Sequence, residues 1–225
     1  MFLSALLIIL MGVLFLRLHL IVNTWLTLKA LSKLHAGCQE PTAFPTPAMS
    51  VLIPARNEEN NIGACLESIV HQEFPIGEII VVDDGSTDRT TDIVKQLQQK
   101  APTIKLLQIK DPPAGWIGKT HALYRGVQEA GGEYLLFVDA DARLSPDCLS
   151  QAMSYALENR SDLTTMVPVV KCVSFWEKVI LPFGIETVFF PIKRALGRDR
   201  DRATAFGWFL LFKRATYDKM GDMKE

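Results

Sequence analysis

The stretch FVDADARLSP, residues 137–146, puts two carboxylates one residue apart at the end of the apolar run YLLFV. In an extended segment, side chains at i and i+2 point to the same side, so Asp139 and Asp141 can address one object beyond the strand. Carboxylates that close repel unless one is protonated or a cation lies beside them. A divalent ion held by one or two carboxylates, with water and substrate phosphate completing its shell, meets that need, and Mg2+ or Mn2+ is the matching chemistry. A solvated loop explains the pair less well, because an apolar run leads straight into it.

Two more polar clusters follow apolar runs: PARNEEN from 54 after MSVLIP, and DDGSTD from 83 at the end of EIIVVDD. Each alone is weak, since Asp, Asn and Gly are ordinary turn formers, and DDGSTD divides evenly between a turn and a ligand site. The elements between them give the clusters a common place. Ile62, Cys65, Leu66, Ile69 and Val70 fall on one helix face, and Ile93, Val94 and Leu97 on another. TIKLLQI reads as a strand, residues 119–130 as a helix, EYLLFVD as a strand, 146–158 as a helix and DLTTMVPVV as extended. Ser145, Pro146 and Asp147 predict a helix start with the Ser145 hydroxyl as cap. Strands alternating with helices predict an α/β fold with a mostly parallel sheet covered on both faces, which binds ligands at the carboxyl ends of its strands. The three clusters then line one crevice.

PAGWIGKT ends like a phosphate-binding P-loop, but G-x-x-x-x-G-K-[ST] needs glycine where Pro113 stands, and proline lacks a backbone N–H for the cradle. Lys119 can still meet a phosphate as a point charge near a helix N-terminus. The formal net charge of -1 gives no electrostatic reason to expect nucleic acid. The four cysteines, Cys38, Cys65, Cys148 and Cys172, form no zinc-like spacing and read as free thiols. His71 and His121 belong to no metal pattern.

Residues 1–30 are apolar enough for one membrane span if Arg17 snorkels to an interface. A cleavable signal peptide would carry positive charge before its apolar region, and none is there. A buried amphipathic helix is the alternative, but no alternation of polar and apolar faces supports it. Arg17, Lys29 and Lys33 lie toward the C-terminal end, which places the rest of the chain on the cytoplasmic side of the cell (inner) membrane. Residues 31–48 are proline-rich and read as a linker.

The ordered set VLIPARNEENNIGACLESIVHQ, EIIVVDDGSTDRT, GWIGKTHALYRGV, YLLFVDADARLSPDCL and SFWEKVILPF resembles inverting family 2 glycosyltransferases of the GT-A fold over residues 49–221. The pairing of PARNEE with GWIGKTHA is similar to the membrane-bound transferases associated with carotenoid and hopanoid pathways. The resemblance implies a nucleotide-sugar donor of the uridine type, a lipid-like acceptor and a divalent metal. It implies that Pro54, Ala55 and Glu58 border the nucleotide and that Asp84 accepts from the base, with Asp83 as the possible swap. Lys119 would lie near the base or diphosphate, Asp139 would face the ribose or the metal, and Asp141 would be the main metal ligand. The implied division is a nucleotide-sugar half at 49–170 and the start of an acceptor half at 171–225.

A carboxylate general base normally follows an R-x-x-Y-x-x-x-GG region in this family. Here RATYDKMGDMKE has Asp222 in place of the second glycine, and neither Asp222 nor Glu225 sits in a matching motif. The base is therefore expected beyond Glu225, in a missing C-terminal part. In SFWEKVILPFGIETVFFPIK, Phe175, Trp176, Val179, Ile180 and Phe183 share a helical face interrupted by Pro182, which reads equally as core or as a membrane-interface surface. GRDRDRAT from 197 reads as a solvated loop. Two rival functions stay open: a nucleotidyltransferase, which normally opens with a glycine-rich basic loop that PARNEEN does not match, and a membrane module that binds a nucleotide sugar without turnover.

Overall fold

A computed structural model describes residues 11, 12, 15, 17–19, 22, 48–109, 116, 118–166, 173–177, 205 and 207–221. Six strands form one sheet: β1 Met49–Ala55, β2 Glu78–Asp83, β3 Ile104–Gln108, β4 Tyr134–Val138, β5 Leu163–Thr165 and β6 Phe209–Lys213, in the order β3-β2-β1-β4-β6-β5. β1 pairs in parallel with β2 and β4, and β2 with β3. β6 runs antiparallel to both β4 and β5. The expected mostly parallel α/β sheet is present, with one reversed strand inserted next to β4.

Five helices are described: α1 Ile62–Val70, α2 Thr90–Lys100, α3 Gly118–Glu129, α4 Cys148–Glu158 and α5 Arg214–Met220. Val51, Ile53, Val81, Leu136 and Val138 pack with Cys65, Leu66 and Ile69 of α1, Val94 of α2 and Leu149 and Met153 of α4. On the other face Leu52, Leu135 and Phe137 pack with Val127 of α3 and Tyr217 of α5, while Ile80 and Val82 pack with Ala122 of α3. Helices on both faces explain why β2 is buried along its whole length and carries no polar alternation. Gly126 lets α3 approach the sheet, since a Cβ there would lie 2.8 Å from Leu52 Cδ2 and 3.0 Å from Val82 Cγ2.

Two local expectations are corrected. Val70 lies on the predicted apolar face of α1 yet is 39% exposed, because it stands at the margin of the stripe whose centre, Ile62, Cys65, Leu66 and Ile69, is fully buried. The helix expected from residue 146 begins at Cys148, and Ser145 contributes its carbonyl, which accepts from Cys148 N at 3.0 Å. The cap comes instead from another element: Gln72 Oε1, just after α1, accepts from Leu149 N at 3.0 Å. A side chain in trans thus satisfies an amide that the helix itself leaves unpaired.

The chain separates into two compact units, one made of residues 1–39 and 169–204 and the other of residues 40–168 and 205–225. Among the described residues no helix is long and apolar enough to cross a membrane. The span expected over residues 1–30 lies outside the described residues except at seven positions, all exposed, among them the apolar Met11, Phe15, Leu18 and Val22. The linker before Ala48, most of 167–204, and Asp222 and Glu225 also lie outside them.

Candidate functional site

The carboxyl ends of β1, β2 and β4 lie at one edge of the sheet, because the three strands are neighbours and run in parallel. PARNEEN leaves β1, DDGSTD leaves β2 and DAD leaves β4 at that edge. A cavity of about 380 Å³ opens there, lined in part by Pro54, Ala55, Glu58, Asp84, Asp139 and Asp141. Lys119, the second residue of α3, closes another side with Gly118 and Ala122. Seven of the eight residues singled out from sequence therefore meet in one place.

The eighth is Asp83. It is the last residue of β2, only 2% exposed, and its Oδ1 accepts from Ser86 N at 3.2 Å, so it shapes the turn and does not line the cavity. Asp84, one residue on, lines the wall, with Arg56 Nη1 3.6 Å from its Oδ2. The choice between the neighbours is made by the strand: Asp83 is paired with Ala55 on one side and Gln108 on the other and its carbonyl accepts from Ile109 N at 2.9 Å, whereas Asp84 lies past the last pair with its N–H on Ala55 O at 2.9 Å. The backbone turns at Gly85, whose φ of +70° suits glycine.

Four lining residues escaped the sequence reading, Arg56, Gly118, Ala122 and Ala140, and the first two bear on the chemistry. Arg56 follows Pro54 and Ala55 directly, and its place in PARNEEN was the one available signal. Gly118 reads as a fragment of a failed P-loop, but its role is clearance: a Cβ there would lie 2.2 Å from Asp84 Oδ2. Glycine thus lets the start of α3 sit against the buried Asp84 carboxylate.

The loops that carry these residues are joined to each other. Asn57, with φ of +56°, donates its N–H to Ser86 Oγ at 2.9 Å, and its Oδ1 accepts from Thr87 N at 2.8 Å. Glu58 N donates to the buried Thr90 Oγ1 at 2.8 Å, and Asp88 Oδ2 accepts from Glu59 N at 3.1 Å. Many polar residues of the two clusters therefore brace loop against loop, which leaves Arg56, Glu58 and Asp84 to face the cavity.

Asp139 is fixed through its backbone. Its N–H donates to Trp208 O at 3.3 Å, and its carbonyl accepts from Ala142 N at 3.0 Å and from the Cys65 thiol at 3.6 Å. Lys119 Nζ donates to Asp139 Oδ1 at 2.6 Å, while Asp141 stands exposed on the same wall. Cys65 reports the sign of the local field: burial, then the carboxylates of Asp141, Asp139 and Glu58, push its thiol up to about 12. That thiol is a buried neutral group and no nucleophile. Cys148 is also a free, buried thiol. His71 Nδ1 lies 2.7 Å from Glu67 O, and His121 is buried with its ring edge-on to Trp116 at 5.3 Å, so both have structural settings.

Among the described residues no group of three or more His, Cys, Asp or Glu side chains could alone enclose a metal ion. Two carboxylates at the mouth of a polar cavity suit instead a hard cation that takes the rest of its shell from water and ligand oxygen.

Residues 50–221 match the family model described as Glycosyl transferase family 2. The 4,4'-diaponeurosporenoate glycosyltransferase of Staphylococcus aureus strain USA300 is 32% identical over 184 residues, covering 80% of this chain and 48% of that protein. The protein of the same name from strain MRSA252 gives the same identity and coverage. The chain thus spans about half the length of the curated relatives it matches. A mannosyltransferase from Pyrobaculum calidifontis, solved in complex with GDP-Man and Mn2+, shares the fold with a TM-score of 0.60 at 22% identity, covering 90% of this chain and 57% of its own. With sheet order, strand-end clusters and a family match over more than half its length in agreement, the chain belongs to glycosyl transferase family 2.

Proposed function

We propose that this chain forms the donor-binding part of a membrane-attached, metal-assisted glycosyltransferase. It transfers a sugar with inversion from a uridine-type nucleotide sugar to a lipid-like acceptor. The observation that carries this reading is the gathering of Glu58, Asp84, Lys119, Asp139 and Asp141 around one cavity at the carboxyl edge of the sheet. The relatives named for 4,4'-diaponeurosporenoate support the acceptor class, and the fold neighbour holds a nucleotide sugar together with Mn2+.

In this reading Pro54, Ala55 and Glu58 border the nucleotide. Asp84 accepts a hydrogen bond from the base, held in aim by its contact with Gly118. Asp139 and Asp141 hold Mg2+ or Mn2+, with Asp139 also within reach of the ribose. A bound divalent cation supplies neutralisation of charge on the departing diphosphate. Lys119 adds a positive charge for the same oxygens once the diphosphate is bound. An acceptor hydroxyl displaces the diphosphate at the anomeric carbon, and a carboxylate base takes its proton.

Membrane attachment is supported by exposed apolar side chains in the unit formed by residues 1–39 and 169–204. Met11, Phe15, Leu18 and Val22 follow at helical spacing and are 47–74% exposed, and Val173, Phe175 and Trp176 are 67–76% exposed. The attachment proposed is a single N-terminal span at the cell membrane, with the sheet domain in the cytoplasm.

Thermal-shift titration of the chain with UDP, GDP and ADP in the presence of Mn2+ tests the donor class. UDP is expected to raise Tm most. A chain that responds to none of the three does not have this donor site.

A further inference from the structure

Both cations that line the cavity face one of its carboxylates: Lys119 Nζ lies 2.6 Å from Asp139 Oδ1, and Arg56 Nη1 lies 3.6 Å from Asp84 Oδ2. Asp141, on the same wall, is in neither pair. Lys119 is therefore bonded to one of the two oxygen donors that the donor-site reading gives to the metal. Resting on that reading, we infer that Lys119 is an exchangeable counter-ion. It holds Asp139 against the metal ion, and it releases that carboxylate when a diphosphate offers its ammonium group a second anionic partner.

The geometry makes the exchange feasible. α3 starts at Gly118 packed against Asp84, so the Lys119 backbone is anchored while its four-carbon stem stays mobile. The Lys119 side chain is 53% exposed and that of Asp139 29%, and ion pairs this open shift an equilibrium by only about fivefold or less. A divalent ion beside Asp139 also meets direct repulsion from an ammonium group bonded to the same carboxylate. A diphosphate removes both obstacles, because phosphate oxygens accept charge-assisted bonds from lysine. Arg56 differs: it pairs more loosely and with Asp84, which is not a proposed metal ligand, so it contributes only a general field.

Free Mn2+ measured by electron paramagnetic resonance, with the full chain, separates the two cations. K119M is expected to bind Mn2+ alone at least threefold more tightly than the unaltered chain, whereas R56M changes that affinity by less than twofold. Calorimetry at saturating Mn2+ should show K119M binding UDP about tenfold more weakly. Equal gains in K119M and R56M would assign the effect to net charge and overturn the exchange, as would a K119M chain that binds Mn2+ no better than the unaltered one. If no chain binds Mn2+ with or without UDP, the donor-site reading fails as well, and the exchange with it.

Discussion

Gly118 places a sharp constraint on the site, because any side chain there meets Asp84 Oδ2. The clash falls on the free end of the Asp84 side chain, which can rotate away, so the backbone need not move. Gly118→Ala is expected to turn Asp84 away and weaken UDP binding about tenfold or more, with a small change in Tm; calorimetry and thermal melts on one preparation check both halves. The acids at strand ends were legible in the sequence because three polar clusters, each weak alone, follow apolar runs that the α/β alternation brings to one edge. The choice of Asp84 over Asp83 was not, since it depends on which residue the β-ladder still holds. Arg56 escaped for a similar reason: an exposed arginine in a polar loop has no period, and only the cavity gives it a role.

At the scale of elements, Asn57 carries the brace between the loops after β1 and β2. Asn57→Ala loses the bonds to Thr87 and places alanine at φ of +56°, a combination expected to cost about 1–3 kcal/mol in denaturant melts. Asn57→Gly should recover the backbone part alone. A second brace sits at the opposite, amino edge of the sheet. Glu78 accepts from Ser50 Oγ at 2.6 Å, Gly131 N at 2.7 Å and Lys105 Nζ at 2.7 Å. Burial alone would raise its carboxyl, but these bonds and the Lys105 charge outweigh that and hold it below its ordinary value of 4.5. A depressed carboxylate gives its full stability above the unfolded-state value and loses it as pH falls through the folded one. Glu78→Gln should therefore be less stable than the unaltered chain at neutral pH, with the gap narrowing below pH 4.5, as melts across that range will show. Apolar periodicity made most strands and helices readable. The start of α4 was misplaced because its cap comes from Gln72, which no local pattern around Ser145 contains.

At the scale of the whole molecule, the α/β alternation announced the parallel strands, and chain order alone placed their carboxyl ends together. The reversed β6 was not legible, since FLLFK is a short apolar run that joins the sheet next to β4 from far along the chain. The unit of residues 1–39 and 169–204 carries the exposed apolar side chains of the proposed membrane attachment. Deleting residues 1–30 is expected to release the chain from membranes in flotation assays, and persistent flotation would move the anchor to residues 175–193. Most direct of all is a titration of UDP with and without Mn2+, on the unaltered chain and on Asp141→Ala. Metal-dependent binding of UDP that disappears in the variant is the predicted result. Binding that ignores Mn2+, or survives the loss of Asp141 unchanged, would contradict a metal and diphosphate site at the end of β4.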